Sequence, residues 1–385
     1  MLLSTKIFSP FNLMKQIFLS ALILLVSVIL INISLSKNKI NCFHMKSLNL
    51  YYRFNKDGNG YIPLLSPIQK VLDANNMNKA NTFYQANLFF MHKLDQHHIF
   101  DVLKSIKNYQ NKYLYNIVCI DYLSSKSKLY EIYMKRKPNS SIFPISFLLN
   151  NPLDIISLQK YLLNNPKKFI ILKKNKQQQN GIKIINEYVE AENSEYVIAQ
   201  ELLQNPFLIR LHKINIRVYL LISIVNNELS VQIYNDGFIY YTPSVFVSES
   251  STVSSNVTSG LINRKVYEKN PLTINDFRKY IGDTKSNLFD SNLKKLFYEL
   301  FSTLEKDIII IEKRLNMRKF VVMGADVALD ENLNLKIMEL NKGPDLSFKD
   351  ERDGKLKYEM IENSFINMNL FNAPKTYHNK YIRII

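Results

Sequence analysis

Residues 320–341, FVVMGADVALDENLNLKIMELN, do most to constrain the fold, because they read as two long antiparallel strands joined by the turn DENLN. A second hairpin is expected over residues 215–241, NIRVYLLISIVNNELSVQIYNDGFIYY, turning at Asn226–Asn227. In the first hairpin Asp326 lies on one strand, and Glu339 and Asn341 lie two residues apart on the other. Period-two alternation puts Glu339 and Asn341 on one face, and antiparallel pairing about the turn brings Asp326 beside them. Three hard oxygen-bearing side chains converging in this way suit Mg2+. Two carboxylates buried together without a cation would repel. Spacing alone also fits a solvated sheet face with scattered acids, and that alternative stays open here.

The remaining sequence alternates short apolar runs with helical spacing. NIVCID at 116–121, IFPISFLL at 142–149, KKFIILKK at 167–174 and YVIAQELL at 196–203 read as strands. SKSKLYEIYMKR at 125–136 and residues 274–317 read as helices, and a Ser-rich loop covers 247–260. Mixed strands and helices with hairpins predict an α+β fold rather than a doubly wound parallel sheet. Residues 37–80 are polar, Asn-rich and carry the turn signal DGNG, so they read as tether or peripheral structure.

Residues 17–36, IFLSALILLVSVILINISLS, are uncharged and apolar over about the length a bilayer-spanning helix needs. They are expected to form a single transmembrane anchor. Slightly more positive charge after the run than before it favours a cytosolic body.

Charge bears on partners. The 385 residues hold 50 Lys+Arg against 33 Asp+Glu, a net charge of +17, which attracts polyanions. No zinc-finger, RNP or helix-turn-helix signature points to nucleic acid, and none is expected as a partner. Two cysteines exclude a disulfide framework or a cysteine-based zinc site. The absence of GxxxxGK[ST] and of a kinase loop set disfavours a P-loop ATPase or a protein kinase. Lys173, at the end of FIILK, and Lys213 and Arg217, in HKINIR, are the cations that could neutralise phosphate charge, although each alone reads as a surface charge.

Taken in order, these pieces resemble the tubulin tyrosine ligase-like family, which builds on the ATP-grasp fold. QELLQNPFLIRLHKINIRVYLLIS at 200–223 is similar to that family's QKYI-x-NPLLI-x-G-x-KFDLRVYVLV block. GADVALDENLNLKIMELNKGPDL at 324–346 is similar to GFDFMLDENLKPWLLEVN-x-xPSL. FIILKKNKQQQNGIKII at 169–185 matches WIVKP…RGxGI more weakly, and KSKLYEIYMKR…IFPISFLL at 126–149 resembles the family's K-x-x-L helix followed by PxTFxL.

The resemblance implies a function and a set of roles. Lys173 would contact ATP phosphates, Lys213 would sit in the nucleotide pocket, and Gln200, Glu201, Leu202 and Leu203 would form the hinge cradling adenine. Arg217 would touch the γ-phosphate or an acyl-phosphate intermediate, with Glu339 as its catalytic companion. Asp326, Glu339 and Asn341 would bind Mg2+, and Thr258 and Asn263 would meet the substrate. The implied activity is an ATP- and Mg2+-dependent ligase that joins an amino-acid donor to an acidic tubulin tail or another acidic protein tail. A non-catalytic relative that binds microtubules or membrane is the rival reading.

Departures from the family pattern fall on the substrate side. The acid of KFDLR is Asn215 here, the arginine after the YxxG turn is Tyr240, and the aromatic of PWLLEVN is Lys336. In NVTSGLIN, Asn256 and Ser259 replace a histidine and an asparagine, and the loop before Gly181 lacks the arginine and first glycine of RGxGI. The expected order is a tail at 1–16, the anchor at 17–36, a linker or peripheral segment at 37–83 and an N-terminal subdomain at 84–166. A central ATP-binding subdomain at 167–203, a C-terminal ATP-grasp subdomain at 204–370 and a tail at 371–385 complete it.

Overall fold

The computed structural model describes residues 50–55, 60–91, 101, 103–104, 111–174, 181–188, 195–248, 250–258, 263–312 and 317–385. The run 17–36 lies outside them, and no helix among the described residues is long and apolar enough to cross a membrane.

The first elements are β1 (Leu50–Arg53), α1 (Ser66–Ala74), β2 (Asn78–Lys79), β3 (Leu88–Phe90) and β4 (Tyr113–Tyr115). These four strands pair in parallel, β2 with β1, β1 with β3 and β3 with β4. Parallel strands are ordinarily buried on both faces, and β1 follows suit. Tyr51 enters the main core, while Tyr52 and Phe54 pack with Phe89 and Leu114 in a second cluster on the opposite side. Within 37–83, expected as a linker or peripheral segment, the described residues thus include a strand buried on both faces near one end of the large sheet. The aromatic alternation of LYYRF is a strand signal hidden by polar flanks.

Next come α2 (Ile120–Leu123), α3 (Lys128–Arg136), β5 (Ser146–Leu148), α4 (Pro152–Asn164), β6 (Ile170–Lys173), β7 (Ile182–Ile185) and β8 (Ile198–Glu201). NIVCID does not form the expected strand. Pairing ends at Tyr115, and Ile117, Ile120 and Leu123 recur at helical spacing as buried residues of a turn running into α2. An antiparallel sheet of order β5-β8-β6-β7 forms a separate small layer. The helix α4 covers it with Leu158 and Leu162; Asn151 caps the helix by accepting from the Leu153 N–H, and Pro152 stands in the first turn. Since β5 belongs to this layer, the central unit begins before residue 167.

The rest supplies β9 (Leu208–Ile209), β10 (His212–Val225), β11 (Glu228–Tyr241), α5 (Val253–Asn256), α6 (Ile274–Ile281), α7 (Asp283–Glu312), β12 (Arg318–Leu329), β13 (Leu335–Lys342), α8 (Glu351–Asn367) and β14 (Tyr381–Arg383). The large mixed sheet runs β14-β11-β10-β12-β4-β3-β1-β2. Two strands share one edge of β12: β4 at Arg318–Lys319 and β13 from Met323 to Leu329. The expected hairpin turn is present, with Asn226 and Asn227 at φ 53° and 64°, the left-handed region Asn tolerates. Phe289, Leu293, Leu296, Phe297, Leu300, Phe301, Leu304 and Ile308 form the buried stripe of α7 at helical spacing. Residues 371–385, expected as a tail, instead return to the sheet, where β14 pairs with β11 and Tyr381 is buried.

A buried ion pair fastens helix α7 to the large sheet. Lys319 Nζ lies 3.0 Å from Glu312 Oε2, and Glu312 Oε1 accepts the Cys119 N–H at 2.9 Å. This pair joins the end of α7, the start of β12 and the approach to α2. The mixed α/β arrangement of a large sheet facing a small antiparallel one is consistent with an ATP-grasp-like fold.

Candidate active site

A cleft of about 1040 Å3 opens between the small sheet and the antiparallel part of the large one. Strand alternation builds its floor: Lys213, Asn215 and Arg217 are successive same-face positions of β10, and all three line the cleft. Asp326 on β12 is the cross-strand partner of Arg217, and Glu339 on β13 is that of Asp326. The β12–β13 register shifts between Asp326 and Val327, so that Met338 is the extra residue of a bulge beside Glu339. The opposite wall comes from β6 and β8 with Lys173, Glu201 and, just beyond, Leu202 and Leu203.

Arg217 grips Asp326 through both carboxylate oxygens, Nε to Oδ1 at 2.6 Å and Nη2 to Oδ2 at 3.0 Å. Its guanidinium also lies 5.2 Å from the Tyr240 ring centroid. Two glycines make room for it. A Cβ on Gly237 would stand 2.2 Å from the Arg217 carbonyl oxygen, and one on Gly324 would meet Arg217 Cδ at 3.1 Å. Asn341 Nδ2 donates to Glu339 Oε1 at 3.0 Å and lies 3.4 Å from Asp326 Oδ2.

Charge is strongly coupled here. Burial, followed by the Glu339 charge, pushes the Asp326 carboxyl up despite the grip of Arg217. Glu339 moves down, because Lys173 and Asn341 outweigh its own burial. Arg217 is buried too, yet Asp326 holds its guanidinium firmly protonated. Burial lowers Lys173 to about 8, against the pull of Glu339. Burial, reinforced by Lys173, lowers Lys213 to about 7. Two desolvated ammonium groups thus face a carboxylate pair across one cleft, an arrangement that a bound polyanion would relieve.

Lys173, Glu201, Leu202, Leu203, Lys213, Arg217, Thr258, Asp326, Glu339 and Asn341 all line the cleft. Gln200 does not. Its side chain lies behind the wall, where Oε1 accepts from Lys173 Nζ at 2.6 Å and Nε2 donates to Ser146 Oγ at 3.0 Å. Asn263, expected beside the substrate, is likewise outside the cleft lining and instead caps the turn at Arg264–Glu268, its Oδ1 accepting the Lys265 N–H. Glu201 is held by Lys168 Nζ at 2.7 Å.

No group of three or more His, Cys, Asp or Glu able to hold a metal occurs among the described residues. A divalent cation here would depend on the two carboxylates, the Asn341 amide and ligand oxygens. That hard-oxygen set fits Mg2+. The buried carbonyl oxygens Asn215 Oδ1 and Asn256 Oδ1, both on cleft residues, have no hydrogen-bond partner among the described residues, as expected where a polar ligand completes the site.

A family model described as the Tubulin-tyrosine ligase family matches residues 101–377. The chain belongs to this family. Tubulin polyglutamylase TTLL7 of Xenopus tropicalis is 23% identical over 229 residues, covering 54% of this chain and 25% of that protein. Tubulin glycylase 3B of Drosophila melanogaster is 23% identical over 172 residues, 40% of this chain and 22% of that protein. Tubulin polyglutamylase TTLL6 of Mus musculus is 25% identical over 256 residues, 60% of this chain and 30% of that protein. The chain spans well under half the length of these relatives.

Sequence reasoning did not single out Lys126, Arg264, Asp345, Lys349, Asp353 or Lys357 of this tubulin-tyrosine ligase family member, yet all six line the cleft. One signal was available. Asp353 and Lys357 stand four residues apart on α8 and form a buried pair at 2.9 Å. Arg264 had none, since its place follows from the turn that Asn263 caps.

Proposed function

We propose that the chain is an ATP- and Mg2+-dependent protein–amino-acid ligase acting on an acidic protein tail, tubulin's in the first instance. The observation that carries this reading is the meeting of Arg217, Asp326, Glu339 and Asn341 with the buried Lys173 and Lys213 around one cleft. Lys173 and Lys213 would hold the phosphates of ATP, with the hinge at Glu201–Leu203 along the base. Asp326, Glu339 and Asn341 would hold Mg2+, which when bound supplies positive charge to phosphate oxygens.

In this reading the acceptor carboxylate takes the γ-phosphoryl group of ATP, giving an acyl phosphate and ADP. The donor's neutral amine then attacks the acyl carbon, phosphate leaves, and the nitrogen loses a proton as the amide forms. Arg217, fixed by Asp326, would face the transferring phosphoryl group. Such chemistry relies on positioning and charge neutralisation rather than on a protein nucleophile. The net charge of +17 would raise encounter with an acidic tail in a salt-dependent way. The membrane anchor at 17–36, with a cytosolic body, belongs to this proposal as its sequence-based part.

The test is transfer of labelled amino acid to tubulin by the full chain with ATP and Mg2+. Label in tubulin that depends on both supports the ligase. ATP binding with no transfer to tubulin or to any other acidic protein favours the non-catalytic alternative.

A further inference from the structure

Positive charge is distributed unevenly along the cleft. Lys173 and Lys213 have no carboxylate within ion-pair distance among the described residues, and they lie where phosphates would be held. The end beyond Arg217, framed by Tyr240, residues 343–349 and α8, is different. Each cation lining that end among the described residues already has its own carboxylate. Arg264 Nε donates to Asp350 Oδ2 at 2.9 Å, Lys349 Nζ lies 2.9 Å from Asp345 Oδ2, and Lys357 Nζ lies 2.9 Å from Asp353 Oδ1. Arg217 itself is committed to Asp326.

These pairs are fixed as well as matched. Lys357 Nζ also donates to the Ser347 carbonyl at 2.7 Å, Lys349 Nζ to Ser347 Oγ at 2.8 Å, and Asp350 Oδ1 accepts the Asp353 N–H at 2.9 Å. Asp353 and Lys357 are 3% exposed, so separating them would strand two buried charges. Tyr240 completes the surround and adds an aromatic face to this end of the cleft.

Resting on the proposed ligase reading, we infer that the donor is an amino acid with an uncharged side chain, such as glycine or tyrosine, and not glutamate. A donor's α-carboxylate can be met by exchange at Arg264–Asp350, a pair with 33% and 40% side-chain exposure. A second carboxylate on the donor side chain would then enter a region whose remaining cations are neutralised by buried or network-held acids. Its desolvation would go uncompensated.

The experiment offers labelled glycine, tyrosine and glutamate separately to the full chain with tubulin, ATP and Mg2+. Glycine or tyrosine incorporated about tenfold or more above glutamate supports the inference. Glutamate incorporated as fast as either overturns it while upholding the ligase, whereas no incorporation of any of the three into tubulin or into any other acidic protein overturns both. Asp350→Asn probes the charge accounting directly. Asn keeps the helix-capping acceptor that Asp350 supplies to α8, so folding is retained while Arg264 loses its counter-charge. Glutamate incorporation is expected to rise roughly tenfold in this variant, about 1.4 kcal/mol. Unchanged glutamate incorporation would contradict the role given to the Arg264–Asp350 pair.

Discussion

Arg217 and Asp326 occupy paired positions on neighbouring strands and are locked by two hydrogen bonds of 2.6 and 3.0 Å at the centre of the cleft floor. Both are largely withdrawn from water, at 11% and 17% side-chain exposure. Register therefore sets the chemistry: a shift of one residue in β10 would turn Arg217 to the other face of the sheet.

Arg217→Ala leaves the Asp326 carboxylate without its partner. Removing one member of a buried pair costs about 3–5 kcal/mol, and urea unfolding is expected to report a loss of that order. The double change Arg217→Met with Asp326→Leu should recover most of it. A single variant as stable as the parent would mean that water already compensates the pair.

Gly237→Ala tests the steric side of the same arrangement. The added Cβ would stand 2.2 Å from the Arg217 carbonyl oxygen, so β10 and β11 must separate. Overpacking of this kind costs about 1–3 kcal/mol. Thermal unfolding should show the loss together with reduced ATP turnover, and an unaltered melting temperature would contradict the close approach.

Much of this was legible in sequence because strand alternation and hairpin pairing are local rules. Asp326, Glu339 and Asn341 follow from spacing about one turn, and Lys213 and Arg217 share a face by the same arithmetic. What failed was non-local. That Gln200 faces Lys173 and Ser146 depends on how β5, β8 and β6 pair, which no single segment reveals. The strands β1 and β14 are only four and three residues long, so their burial shows only once the sheet exists to receive them. NIVCID misled because apolar residues over so short a run fit a strand and a buried helical turn alike. Arg264 meets Asp350 through tertiary contact, whereas the Asp353–Lys357 pair of α8 is local.

Gln200→Leu removes the acceptor that holds Lys173 Nζ at 2.6 Å. Lys173 then loses its fixed position while the cleft lining keeps its residues. ATP affinity measured by calorimetry is expected to fall about three- to tenfold, the cost of one charge-assisted hydrogen bond's worth of positioning. Unchanged affinity would assign Gln200 to packing alone.

Lys213 gives stability a pH dependence. Its folded value of about 7 lies below the ordinary 10.5, so between those limits the unfolded chain holds a proton that the folded chain has released. Stability therefore rises with pH through this window, and below about 7 the full cost of burying the ammonium applies. Lys213→Met removes that cost. The variant is expected to exceed the parent by a few kcal/mol at about pH 6, with the gap closing toward pH 10. A gap independent of pH would contradict a desolvated Lys213.

The most direct test of the central claim is Mg2+-dependent ATP binding and hydrolysis by the full chain, compared with Glu339→Gln. The parent is expected to bind ATP in a Mg2+-dependent manner and to turn it over in the presence of an acidic acceptor and a donor amino acid. Glu339→Gln, which keeps the shape but removes one carboxylate facing Lys173, is expected to remain folded and to lose turnover by about 100-fold or more. Equal turnover in the two proteins would contradict the assignment of Asp326, Glu339 and Asn341 to the metal.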